Sequence, residues 1–593
     1  MESLPRVRLL GRRAACLLAL VAAIGVGAAQ RDGDWPMAAR DLANTRYAPL
    51  ADINRANVGA LRPVSTFSTR VSRGHEAAPI VVGDTMYVVT PYPNIVYALD
   101  LSKPGLHVRW KFEPKPDPFA QGVSCCDVVN LGLAVADGRV FVNTLDNQTI
   151  ALNASDGKAL WRFRSADPRS GETRTMAPLV VKGRVLIGND GSAFGVRGWL
   201  IALDEASGTE LWRAYSTGPD REVLIGSEYK PFYAKDRGAD LGVSTWPLDA
   251  WKIGGGTVSG WLSFDADLGL VYYGTANPTP WNAEQRPGDN KFTAGIFARD
   301  IDTGRARWFY QVSPHDSFHY DAGNEHILVD LDLPGGTRKT LLHPDRNGYV
   351  YVIDRTTGEV LSATPFVRIT TSAGVDLRTG ELHTVPQKLP RANIVSRDIC
   401  PSSAGGKNWQ PSAWSPRTRL LYIPHQNLCQ DEEVMATSFI AGTPYTGAIV
   451  KMKPGPGPGR RGLVTAWDPV AKRAAWTIDE EFPVWSGALA TAGDLVFYGT
   501  MDGWFKAVDA KSGKVLWQFK TDSGIVGQPI AYRGPDGKEY IAVLSGVGGW
   551  AGAVVFDDID ARDASAVGGF ANAMRDLKRR TTPGGMLHVF ALP

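Results

Sequence analysis

The sequence predicts an all-β chain folded as an eight-bladed β-propeller of four-stranded antiparallel blades. Three observations point there. The 593 residues include 64 Gly, 39 Pro and 18 Trp, a composition of turn-rich β-structure rather than helices. One phrase recurs along the chain: a short apolar strand, Asp or Asn, a turn that usually carries Gly, then a second strand bearing an aromatic residue. Several copies lie about fifty residues apart and two gaps are about twice that, the period of a propeller blade.

The N-terminus comes first. Arg6, Arg8, Arg12 and Arg13 form a positive segment, residues 14–26 are apolar, and Gly27-Ala28-Ala29 offers a small-residue cleavage site before Gln30. Residues 1–29 are therefore expected to be a secretory signal peptide, and 30–593 a single propeller domain. The apolar run is too short to span a bilayer comfortably. Arg12-Arg13 suits twin-arginine export, and a Sec route serves equally. The mature protein is expected to be soluble and periplasmic, with no transmembrane segment after cleavage. The formal net charge of the whole 593-residue sequence is only +3, which gives no reason to expect a nucleic-acid partner.

The repeated phrase follows. It reads YALDLSKPGLHVRWKF around Asp100, IALNASDGKALWRF around Asn153, IALDEASGTELWRAY around Asp204 and FARDIDTGRARWFY around Asp300. Further copies are YVIDRTTGEVLSA around Asp354, TAWDPVAKRAAW around Asp468 and KAVDAKSGKVLWQF around Asp509. Each is a β-hairpin signal, and the Trp in each is expected to pack between blades. The last apolar segment, 587–590, is expected to close the ring with N-terminal residues. The run KMKPGPGPGRRG at 451–462 is expected to be a loop, since its prolines exclude a helix or a central strand.

Cys16 leaves with the signal, so Cys125, Cys126, Cys400 and Cys429 remain. In an oxidising compartment an even count implies disulfides, and four cysteines allow three connectivities. Cys125–Cys126 with Cys400–Cys429 is the simplest. Two free thiols at 125 and 126 is the other reading, disfavoured by export. The absence of C-x-x-C-H excludes covalently attached c-type haem.

The motifs CCDVVN, GVRG, WKIGGGT, GTANPTPWN, RPGDNKFT, HPDRNGYVY, GKNWQP and GVGGW resemble those of the pyrroloquinoline quinone (PQQ) dependent alcohol dehydrogenases, nearest to the large subunits of methanol dehydrogenases. The resemblance runs from about Trp35 to the C-terminus. It implies a primary-alcohol oxidation of the methanol or ethanol type, with hydride passing to the quinone and electrons to a soluble cytochrome c. A small-subunit partner or a homodimer is implied as well. It further implies that Cys125 and Cys126 form a strained eight-membered disulfide ring over the quinone. The implied cofactor contacts are Glu76, Thr175, Gly191, Arg346, Asn408, Trp485 and Trp550. For the two tryptophans, propeller packing is the plainer alternative.

The same resemblance locates a cluster of departures. The family's calcium or lanthanide ligand before GVRG falls at Ala193, and its general base at His319. Its Arg after CCDVVN is Leu131, its stacking Trp after GGGT is Ser259, and its Ser before Gly191 is Asp190. Asn277 and Asp321 remain as metal ligands. Two neutral or absent donors make calcium or lanthanide binding doubtful, because hard ions need several oxygens. His319 and Asp321 share a strand-like face and are the candidate catalytic pair, and a neutral histidine can act as a base. A hydrogen-bonded pocket role for His319 is the alternative, and Trp261 is expected to reach the pocket in place of the missing Trp. Three functions follow: a PQQ-dependent alcohol dehydrogenase with an altered site; a paralogue that binds PQQ or a similar planar ligand without turnover, as carrier or sensor; or a protein-interaction scaffold.

Overall fold

The computed structural model describes residues 33–593 apart from 458–459, 557–558, 561 and 564–566. The expected signal peptide at 1–29 lies outside the described residues.

The strand sequences show why blades form. Thr85–Val89 (TMYVV) is buried along its whole length, as a strand covered on both faces must be. His107–Phe112 (HVRWKF), the outer strand of the same sheet, buries only Trp110. With Ile80–Val82 and Val96–Asp100 these strands make an antiparallel sheet in chain order. The same up-and-down order recurs in the sheets at 133–164, 179–215, 262–311, 327–365, 413–480 and 489–520, the last with Tyr47–Ala48 added as a fifth, parallel strand. The eighth sheet is different. Ile530–Arg533, Glu539–Ser545 and Met586–Ala591 supply three strands, and Arg62–Ser68, from the start of the described chain, supplies the fourth. Phe67 faces Leu587 and Thr66 faces His588 in that seam, so the last apolar segment closes the ring as expected.

Two insertions decorate the ring. A hairpin, Ser372–Asp376 with Glu381–Thr384, follows the fifth blade. A three-stranded sheet of Val395–Ile399, Leu428–Val434 and Ala448–Pro454 comes next. Cys400 and Cys429 are disulfide-bonded beside it. Here one expectation is corrected: residues 451–454 of the Pro- and Gly-rich run are strand, not loop. They tolerate Pro454 because their strand lies at a sheet edge, paired only with Leu428–Val434.

The tryptophans of the repeated phrase join neighbouring blades in one geometry. Trp110 of the first blade lies over Gly157 in the turn of the second, and its indole Nε1 donates to the Ala154 carbonyl at 3.0 Å. Trp161, Trp212, Trp308 and Trp476 lie likewise over Gly208, Gly304, Gly358 and Gly513. Their Nε1 atoms donate to the carbonyls of Glu205, Ile301, Arg355 and Ala510. A Cβ at Gly157 would sit 2.6 Å from the Trp110 ring, so the ring can seat only on glycine. The exceptions support this. The fifth blade carries Ser362 where the others carry Trp, and the facing turn of the sixth has Lys472, at φ 58°, where the others have Gly. The eighth blade's outer strand has no Trp, and the facing turn of the first has Leu106, at φ 51°. The turn keeps its left-handed residue at each of these seven joints, and has glycine at the five where an indole lies over it.

Gly157→Ala is therefore expected to lower stability by about 1–3 kcal/mol, through overpacking and a left-handed alanine. Lys472→Gly, at a joint with no indole, should change it by less than about 1 kcal/mol. Equilibrium urea denaturation of the two variants checks this; equal effects would contradict the seating argument.

Candidate functional site

In an antiparallel blade the first strand begins, and the second ends, on the same face of the ring. Two kinds of loop therefore converge there: those entering first strands and those joining second to third strands. All twelve site residues named from the sequence fall in these loops. Glu76 precedes Ile80–Val82, Cys125 and Cys126 precede Leu133–Ala136, and Thr175 precedes Leu179–Val181. His319 and Asp321 precede Ile327–Leu333, Asn408 precedes Ala413–Ser415, and Trp485 precedes Leu489–Thr491. Gly191, Asn277, Arg346 and Trp550 each follow the second strand of a blade. The twelve line one cavity.

His319 stands at its centre. Its ring stacks on Trp281 with centroids 4.3 Å apart and meets the edge of Trp550 at 5.6 Å. Its Nδ1 lies 3.3 Å from the Ser403 carbonyl and 3.4 Å from Arg346 Nη1. Burial lowers the imidazole pKa to about 4, with Arg346 acting in the same sense and Asp321 against it. The ring is neutral at pH 7. Arg346 Nη2 forms an ion pair with Asp321 Oδ2 at 2.8 Å, and Asp321 Oδ1 accepts the Asn277 backbone N–H at 2.7 Å. The side-chain Oδ1 of Asn277 is buried and has no partner.

The other departures, Leu131, Asp190, Ala193 and Ser259, line the same cavity. Asp190 Oδ2 accepts both the backbone N–H of Thr175, at 2.7 Å, and its hydroxyl, at 2.8 Å. Burial raises Asp190 to about 6, opposed first by the Thr175 bonds. Glu76 is held well above the ordinary carboxylate range by burial and then by Asp127, with the Trp485 and Trp409 indoles opposing.

Two expectations are corrected. Cys125 and Cys126 are not bonded: their sulfurs are 3.0 Å apart and both are free, whereas a disulfide needs about 2.05 Å. The pair does line the cavity, with Cys125 exposed and Cys126 half-buried. The hydrogen bond with the neighbouring Cys125 thiol, and then burial, push Cys126 well above its usual range. Trp261 does not replace the missing stacking ring. It does not line the cavity but packs with Ala38 and Leu131 behind the lining residues, and its Nε1 donates to the Trp409 carbonyl at 2.8 Å. A shared strand face brings residue 261 near 259 only if the chain is extended there, and the strand begins at Leu262. Two aromatic residues were missed, Trp281 beneath His319 and Trp409 on the cavity wall. Each lies within a motif of the family resemblance, Trp281 in GTANPTPWN and Trp409 in GKNWQP, and an aromatic inside such a motif was the available signal.

The cavity fits a flat quinone at one end. Arg346 Nη2 and Asn408 Oδ1 lie 3.5 Å apart, at the edge of the bond range, and the sulfur pair and the two tryptophans enclose the space. It does not fit a hard metal ion. Ala193 has no donor, His319 presents nitrogen, and both Asp321 oxygens already have protein partners. Among the described residues no three His, Cys, Asp or Glu side chains are grouped to hold a metal.

The raised Glu76 carboxyl has a consequence for stability. The native state holds a proton there that the unfolded chain loses near pH 4, so stability falls as pH rises above that value, up to the raised folded pKa. Glu76→Gln should flatten the dependence of the urea midpoint on pH between about 5 and 8. An unchanged slope would contradict the assignment.

Comparison with known proteins agrees with this architecture. A family model described as "PQQ: Glucose/ethanol/alcohol dehydrogenase, beta-propeller domain" matches residues 35–376 and 461–541. The lanthanide-dependent methanol dehydrogenase of Methylacidiphilum fumariolicum (strain SolV) is 49% identical over 94% of this chain and 92% of its own length. Methanol dehydrogenase (cytochrome c) subunit 1 of Methylobacterium organophilum is 42% identical over 95% of this chain and 91% of its own. A solved europium-containing methanol dehydrogenase superposes with a TM-score of 0.94 at 48% identity, covering 95% of this chain and 99% of that one. A ring of eight sheets, a one-faced cavity and full-length relatives of one kind place this chain in the family of PQQ-dependent alcohol dehydrogenases.

Proposed function

We propose that this chain binds PQQ in the cavity and oxidises a primary alcohol of the methanol or ethanol type in the periplasm, passing electrons to a soluble cytochrome c. The convergence of the twelve residues on one cavity carries the reading. The names of the relatives, methanol dehydrogenases with one marked for cytochrome c and as subunit 1, support the substrate class, the acceptor and a small companion subunit.

PQQ, when bound, supplies an ortho-quinone that accepts hydride. The chain's own groups bind it and handle the proton. Arg346 directs its guanidinium at the quinone oxygens, and Asn408 fixes the plane from beside it. Trp485 and Trp550 exclude water, and Cys125 with Cys126 covers the ring face. His319 donates Nδ1–H to the Ser403 carbonyl, which leaves Nε2 as the acceptor for the alcohol proton. At a pKa of about 4 this imidazole is as basic as an ordinary carboxylate, but it carries no charge before it takes the proton.

A second reading is favoured by one observation. With Ala193 and His319 in place of two acids, the electrophilic help of a metal is weakened, and the protein holds PQQ without turnover. Reconstitution of the purified mature protein with PQQ separates the two. Dye-linked oxidation of ethanol is the expected result. A shift of the quinone absorbance without oxidation selects the carrier reading, and no shift contradicts both.

Asp190 adds a measurable feature. Above about pH 6 it is ionised and faces the carboxylates of PQQ. Asp190→Ser should tighten PQQ at pH 8 by about tenfold, near 1.4 kcal/mol, and at pH 5 by less than about twofold. Isothermal titration at both pH values checks this, and an equal gain at both would contradict it.

A further inference from the structure

Arg346 is the one Lys or Arg among the described residues lining the cavity. It is also bound to the residue that would otherwise serve a metal. Its Nη2 lies 2.8 Å from Asp321 Oδ2, and its Nη1 lies 3.4 Å from both the backbone oxygen and Nδ1 of His319. The guanidinium thus bridges positions 319 and 321, the segment from which the family resemblance draws a metal-side carboxylate. The remaining oxygen of Asp321 holds the Asn277 backbone.

The charges tell the same way. Relative to the family pattern, carboxylates are lost at Ala193 and His319, two negative charges in all. A divalent or trivalent ion would face one carboxylate already neutralised by arginine, and Asn277 Oδ1 as its only free side-chain oxygen. Hard cations take six to eight oxygens, roughly, with carboxylates among them. Losing a divalent ion with two of its acids cancels in charge, and the Arg lost at Leu131 and the acid gained at Asp190 make the cavity more negative, which leaves Arg346 as the cation that offsets them.

We propose that the cavity holds its quinone with no metal ion, and that the Asp321–Arg346 ion pair occupies the ion's place, with Arg346 as the cation at the quinone oxygens. The proposal rests on the reading that this cavity binds PQQ. Asp321 aims and partly neutralises the guanidinium, and is a positioning residue.

The test uses the mature protein and two readouts. In the first, PQQ is titrated by absorbance in excess EDTA, excess calcium and excess lanthanum. The three affinities are expected to agree within about threefold. A tightening of about tenfold or more with either ion overturns the proposal. In the second, terbium is added without PQQ and its emission is excited through the nearby tryptophans. No sensitised emission is expected from the wild type, and the Ala193→Glu/His319→Asp variant is expected to gain it. Wild-type emission that lanthanum displaces overturns the proposal, whatever the variant does. If PQQ binds in none of the three buffers, the quinone reading falls and takes the bound-state half of the proposal with it. The terbium readout still decides whether the site holds an ion.

Discussion

The seam between Arg62–Ser68 and Met586–Ala591 is the constraint on which the rest depends. Seven blades can be laid down in chain order, but the eighth exists only when the two ends of the described chain pair. That pairing makes an open array into a ring, and only a ring brings loops from every blade to a common axis. Trp517 donates to the Leu61 carbonyl at 3.0 Å, immediately before the closing strand. The indole-on-turn joint thus reaches the seam with a different partner from those elsewhere.

From ring closure the site follows by topology. Antiparallel order sends the loops before first strands and after second strands to one face, so residues as far apart in sequence as Glu76 and Trp550 meet. Loops of this kind tolerate substitution because the blades, not the loops, hold the frame. This is why five departures can gather around one cavity without disturbing an architecture that superposes closely on a methanol dehydrogenase. Their common effect is electrostatic. Carboxylates leave the side of His319 and Ala193, an acid enters at Asp190, and Arg346 remains as the pole toward which a quinone would orient.

Much of the frame was legible in the residues because it is written in short range. A Trp and a Gly at fixed spacing announce most of the hairpins, and their pairing across blades explains why both recur. The correlated loss of Trp at Ser362 and of Gly at Lys472 was not legible, since it depends on which blades adjoin. The site residues were recognisable only as motifs; nothing in spacing or periodicity reveals that Asp321 bonds Arg346 or that Trp281 lies beneath His319. Proximity in sequence misled twice. Adjacent cysteines suggested a bond that the structure does not form, and Trp261 seemed within reach of a pocket that it does not line, since it precedes the strand that begins at Leu262. In both cases backbone direction decides, and single residues do not encode it alone. Pro454 is the converse case: a residue that forbids a central strand sits without cost at an edge.

The most direct test of the account is a crystal structure of the protein grown with PQQ and calcium, with anomalous scattering recorded to locate any ion. The account predicts a planar density between the Cys125–Cys126 pair and the opposite cavity wall, in contact with Arg346, with Asp321 still paired to that arginine and no ion beside Asn277. An ion coordinated by Asn277 and Asp321, or PQQ bound outside the ring's central cavity, would contradict it.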